Sequence, residues 1–220
     1  NILFNNYSLN CKIYLMMGND DFKSNFELIK YYSKQGIFEL IHNKIINLFQ
    51  EYYIFGYSYV PLTPFKLKDW EKLDTNDLDE LDYRGFIELT GFKSKGNNFE
   101  PEFINTRDRK NTIEKDLSKL NCNFEKLIFV SHSPPYNTNL DIIFSGDHVG
   151  SLAVRNFIEK KQPLVTLHGH IHETVEKSGY FKDNIGSTLS LSSGNDHLNN
   201  SLAVLKFNLF NIKNVVREVI

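Results

Sequence analysis

The chain has 220 residues, 41% hydrophobic and 24% charged, with a formal net charge of −2 at pH 7. That length suits one domain with a sizeable core, and the near-balanced charge gives no electrostatic case for nucleic acid or an anionic membrane surface. No run of about 18 apolar residues offers a membrane-spanning helix, no signal peptide is visible, and Cys11 and Cys122 stand far apart in no metal-binding spacing. Two such thiols suit a reducing, cytoplasmic setting.

Residues 11–17 (CKIYLMM) read as a strand stopped by Gly18-Asn19-Asp20-Asp21. A helix follows to about Ser33, with Phe22, Phe26, Leu28 and Ile29 near helical spacing and Gly36 ending it. Strands are expected around residues 37–41, 44–49 and 52–59, before Pro61-Leu62-Thr63-Pro64. Residues 74–103 form an irregular insertion, acidic first and then rich in Gly, Lys and Asn. Such a stretch is either a lid over a site or a surface excursion.

Asn111-Thr112-Ile113-Glu114 looks like a capped helix start, with Ile113, Leu117 and Leu120 as the apolar stripe. Residues 126–131 (KLIFVS) form a buried-type strand that ends in His132-Ser133-Pro134-Pro135. Residues 151–161 are helical, with Val154, Phe157 and Ile158 inward, and residues 164–167 form the next strand. It runs into His168-Gly169-His170-Ile171-His172-Glu173. Residues 174–180, 187–192, 202–208 and 213–219 read as strands. The 18 Phe and 11 Tyr are spread through the strands and read as core. The order predicts a mixed, layered α/β fold in one domain over residues 1–220.

Three polar motifs follow strand ends, where ligands bind in open α/β sheets. The histidine cluster carries most information. Alternate residues of an extended backbone share a face, and a neutral imidazole is the commonest side-chain metal ligand.

In their order these motifs resemble the calcineurin-like metallophosphoesterases. That family runs Asp-x-His, Gly-Asp-x-x-Asp, Gly-Asn-His-Asp/Glu, a lone His and Gly-His-x-His. The last three are matched by Gly18-Asn19-Asp20-Asp21, His132 and Gly169-His170-Ile171-His172. The stretches GYSYVPLTPFKLKDWEKLD, HSPPYNTNLD, HVGS and HGHIHE look like small bacterial and archaeal Icc-related phosphoesterases.

The resemblance implies a β-sandwich flanked by helices and two divalent ions, Mn, Fe or Zn. Asn19, His132 and His170 would hold one ion and His172 the other. A water between the ions would attack a phosphomonoester or phosphodiester, a small-molecule substrate. His168 precedes the matched motif and reads as supporting or structural.

Two departures stand out. Asp20 occupies the place of the family's catalytic histidine, and serves as an acid only if burial or Asp21 raises its pKa. Asp-x-His and Gly-Asp-x-x-Asp do not occur, since the only Gly-Asp, Gly146-Asp147, lies downstream. The resemblance places them, with a strand-helix-strand segment, before Asn1, and so predicts that this chain alone holds at most one metal, weakly, and turns over little. Val149-Gly150-Ser151 opens a helix whose free N–H groups suit an anion; His148 and Ser151 either contact substrate phosphate or, for Ser151, simply cap the helix.

The alternative reading is a non-catalytic interaction or scaffold protein on the same fold. A metallo-β-lactamase-type zinc site needs Asp-His after His-x-His, whereas His172 is followed by Glu173-Thr174.

Overall fold

A computed structural model describes residues 11–77, 87–195 and 201–220. In chain order, β1 (Tyr14–Leu15), α1 (Phe26–Lys34), β2 (Glu39–Leu40), β3 (Ile45–Phe49) and β4 (Tyr52–Tyr57) come first. Then follow β5 (Thr90–Lys95), β6 (Asn98–Phe103), α2 (Ile113–Ser118), β7 (Leu127–Ser131), α3 (Leu152–Lys161) and β8 (Val165–His168). The chain continues with α4 (Thr174–Ser178), β9 (Lys182–Ile185), β10 (Thr188–Ser192), β11 (Ala203–Asn208) and β12 (Asn211–Val219).

A six-stranded mixed sheet in the order β3-β4-β7-β8-β10-β9 forms the centre. Its inner strands β4, β7, β8 and β10 are parallel, and β3 and β9 are antiparallel edges. Neighbouring residues alternate between two cores, as a period of two requires. Phe55 and Phe129 face Leu117, Val154, Phe157 and Ile158 from the helical layer. Ile54 and Ile128 face the other way, where Leu205, Phe207, Ile212 and Val215 of the β11–β12 hairpin cover them. The sheet is thus layered between helices and a hairpin, an α/β arrangement. Beside β4 the parallel pair β1–β2 joins on through the bridge of His42 to Gly56.

The register sets up the site. Tyr57, Ser131, His168 and Ser192 are side by side at the carboxyl ends of the parallel strands. Residues that follow these positions emerge at one sheet edge.

Both expected helix caps are present: Thr112 Oγ1 accepts from Lys115 N at 3.1 Å, and Ser151 Oγ accepts from Val154 N at 3.0 Å. Three expectations change. The strand expected at 11–17 shortens to Tyr14–Leu15. The β-branched Thr174 and Val175 suggested a strand, but Thr174–Ser178 is a short helix ended by Gly179 at φ 76°, the left-handed conformation that glycine accepts without strain. The insertion is in part a regular hairpin, β5–β6, turning at Gly96 (φ 57°) with Lys95 paired to Asn98; Gly-Asn between paired segments is a two-residue turn signal. Residues 78–86 of that insertion lie outside the described residues. Among the described residues no helix is long and apolar enough to cross a membrane.

Candidate metal centre

Gly18, Asn19, Asp20 and Asp21 turn sharply after β1. Gly18 N donates to Asp21 Oδ2 at 2.7 Å, and Asp21 N donates to Gly18 O at 3.3 Å. Trp70 Nε1 donates to Asp21 O at 2.9 Å, which ties the loop to the core. Asn19 is buried at 7% exposure. Its Nδ2 donates to Asp20 Oδ1 at 2.9 Å, so the amide oxygen is turned the opposite way.

That oxygen meets two imidazoles. Asn19 Oδ1 lies 2.8 Å from His132 Nε2 and 2.8 Å from His170 Nδ1. His132 leaves the end of β7 with its N–H donating to Tyr57 O at 2.9 Å. Gly169 N donates to His132 O at 3.1 Å, tying the turn after β8 to the same point. His170 adopts φ 67°, an uncommon conformation for a non-glycine residue that recurs where a site dictates the backbone. Two glycines make room for the His132 ring. A Cβ on Gly18 would sit 3.0 Å from both Cε1 and Nε2, and one on Gly169 would sit 3.3 Å from Nδ1.

The donor set fits a divalent ion. Ligands about 2.1 Å from one ion and at right angles to each other sit about 3 Å apart, close to the separations seen. An amide oxygen and two imidazoles suit a borderline ion. Burial, and then the neighbouring His172, push the His132 pKa down to about 4, so at neutral pH the ring is uncharged and free to ligate. Among the described residues no cluster of three or more His, Cys, Asp or Glu forms a metal site; here an asparagine completes the set.

The remaining candidates divide. His172 and Asp20 line the cavity above this trio, as do Asn19 and His170. His168 does not join them. It is buried, with Nδ1 3.2 Å from Ser131 O and 3.1 Å from Ser133 O, and Nε2 2.7 Å from Thr166 Oγ1. Burial lowers its pKa to about 4, and the ring locks the ends of β7 and β8 together. His148 lies between the cavity-lining Asp147 and Val149, with its Nδ1 2.7 Å from Asp141 Oδ1.

Ser151 is fully buried. Besides capping α3, its hydroxyl donates to Asp74 Oδ1 at 2.5 Å, and Asp74 Oδ2 accepts from Leu152 N at 2.7 Å. The carboxylate of Asp74 thus occupies the anion position at the start of α3. Sequence reasoning missed Asp74 and Asp141. Asp74 is far from α3 in the chain and left no local signal, whereas Asn137-Thr138-Asn139-Leu140-Asp141 carries the residue types that fold back on backbone N–H groups.

A family model, the calcineurin-like phosphoesterases, matches residues 2–174. The chain belongs to this family. Among curated proteins no relative matches it. A crystal structure aligns over 96% of the chain with a TM-score of 0.57 and 16% identity. The chain spans 66% of that structure's length, just under two thirds, and the likeness speaks for the fold alone. TT1561 of Thermus thermophilus aligns over 93% of this calcineurin-like chain and 71% of its own length, at 13% identity and a TM-score of 0.49. Asn19, His132 and His170, which come from the three stretches that carried the resemblance, stand together.

Proposed function

We propose that this calcineurin-like chain is a metal-dependent hydrolase of phosphomonoesters or phosphodiesters, with Asn19, His132 and His170 as ligands of one Mn, Fe or Zn ion. His172, on the cavity wall, is the residue we assign to a second ion. The observation that carries this reading is the approach of two imidazole nitrogens to Asn19 Oδ1, each at 2.8 Å, at the end of adjacent parallel strands.

A bound ion of this kind supplies positive charge to a phosphoryl oxygen and acidifies water. Three uncharged ligands leave that charge undiminished. Asp20 fixes the direction of the Asn19 amide by accepting its N–H. Asp20 stands where the family's catalytic histidine is expected, and an ionised carboxylate there suits esters whose leaving groups depart without protonation.

The test is calorimetric titration of the 220-residue chain with Mn²⁺, joined to hydrolysis of bis-p-nitrophenyl phosphate, in the wild type and His132→Ala. We expect about one equivalent of Mn²⁺, because His172 by itself does not hold a second ion, and slow metal-dependent turnover, both lost in the variant. Equal uptake and equal rates in the two proteins overturn the assignment.

A further inference from the structure

We propose that the cavity above Asn19 and His170 selects phosphoesters bearing an uncharged apolar organic group, aryl or alkyl, over small polar or polyanionic phosphates; this rests on the phosphoesterase reading. The cavity has a volume of about 640 Å³, the size of a small-molecule site and far more than one phosphate fills. Asn19, His170 and His172 are among its polar lining residues, while Phe65, Ile87, Ile143, Phe144, Val149 and Ile171 contribute apolar wall. Phe65 is 57% exposed and Phe144 is 61% exposed. Two large aromatic faces left open beside a candidate phosphate position gain by being covered.

The walls are built rather than loose. Lys68 and Glu71, both fully buried, anchor the loop that carries Phe65. Lys68 Nζ donates to Glu71 Oε2 at 2.8 Å and to Thr63 O at 3.1 Å, and Glu71 accepts from both the backbone N–H and the hydroxyl of Thr63. Thr63 Oγ1 in turn accepts from Phe65 N at 3.1 Å.

The loop that carries Phe144 closes through the bridge of Ile142 to His148. At its base the fully buried Asp141 accepts from Asn137 N, Thr138 N and Gly150 N at 2.8–3.0 Å. Lys177 Nζ, 4.3 Å from the Phe144 ring centroid, backs that ring. Walls held in advance lose little entropy on binding.

Charge points the same way. Asp20, Asp147 and Glu173 line the cavity, and among the described residues no Lys or Arg does. A ligand with one phosphate at the metal is accommodated; further negative charge along the walls is repelled.

The experiment measures binding of 2-naphthylphosphonate and methylphosphonate, neither of which is an ester, to the chain with and without Mn²⁺ by calorimetry. A parallel titration uses 2-naphthol without metal. The naphthyl compound is expected to bind about tenfold or more tighter than the methyl one. Phe65→Ala and Phe144→Ala, both at exposed positions that leave folding intact, should each shrink that ratio severalfold and weaken 2-naphthol. Equal affinities for the two phosphonates, or a naphthyl preference untouched by both variants, overturn the proposal. Phosphonate affinities that ignore Mn²⁺ overturn the metal reading instead, and the 2-naphthol titration then decides the apolar cavity by itself: no binding, or binding unchanged in both variants, rejects it.

Discussion

Asn19 has two amide atoms with different duties. Oδ1 faces His132 and His170, and Nδ2 donates to Asp20 at 2.9 Å. Loss of Asp20 removes the acceptor that holds the amide N–H groups away from the metal position and leaves the orientation to the two imidazole contacts. Partners one step behind a ligand are worth about 10- to 100-fold in metal affinity. Asp20→Ala should therefore weaken Mn²⁺ binding by about tenfold or more, whereas Asp20→Asn, which keeps an acceptor oxygen, should retain most of it. Wild-type affinity in the alanine variant would remove Asp20 from the site. Gly18 makes a sharper test of geometry. Its Cα approaches the His132 ring so closely that an alanine Cβ would lie 3.0 Å from Nε2. Gly18→Ala should cost metal affinity well before it costs stability, seen as a weakened Mn²⁺ titration beside a urea midpoint close to wild type.

At the scale of elements, ion pairs out of water set the shape of the walls. Lys68 and Glu71 are both buried, and Lys68 serves Thr63 O as well as the carboxylate. Removal of one partner leaves the other charge buried and unpaired, which costs about 3–5 kcal/mol. Lys68→Met should lower stability by about that amount in urea unfolding, and the double variant Lys68→Met/Glu71→Leu should recover most of it; a double variant as unstable as the single one would show that the pair holds the loop by more than charge. How far such elements were legible depended on range. The caps at Thr112 and Ser151 act over three residues, and both were readable. So was the closeness of Asn19, His132 and His170, which the resemblance to the calcineurin-like motif order implied. The partner of Ser151, Asp74, lies 77 positions away, and no local pattern joins them. The two-residue turn at Gly96 was hidden by the polar composition around it, and the short α4 by its β-branched start.

Over the whole molecule, acid should act through the buried histidines His42, His132 and His168, whose pKa values are all lowered to about 4; of these His42 lies outside the candidate site and ties the β1–β2 pair to the central sheet. The ring lies among Phe26, Tyr59 and Trp70, with centroid separations of 5.7, 5.6 and 5.0 Å. Its Nδ1 accepts from Ser58 N at 3.3 Å, a bond that the neutral ring supports. Burial first, then the positive charges of Lys23 and Lys72, lower its pKa from 6.5 to about 4, against a smaller opposing pull from Asp116. In the unfolded chain the imidazole titrates at its ordinary value. Between pH 6.5 and about 4 the unfolded chain therefore binds a proton that the folded chain does not. Stability contributed by the neutral ring is whole above that window, falls as pH falls through it and levels off below. Glu71, raised above its ordinary pKa chiefly by burial, acts with the opposite sign, favouring the fold where it stays protonated. His42→Phe isolates the histidine. It removes the Ser58 hydrogen bond at every pH and so lowers the urea midpoint by a constant offset, but it also removes the titration. The drop in midpoint from pH 7 to pH 4.5 should be clearly smaller in His42→Phe than in the wild type. Parallel curves for the two proteins would place the acid sensitivity elsewhere.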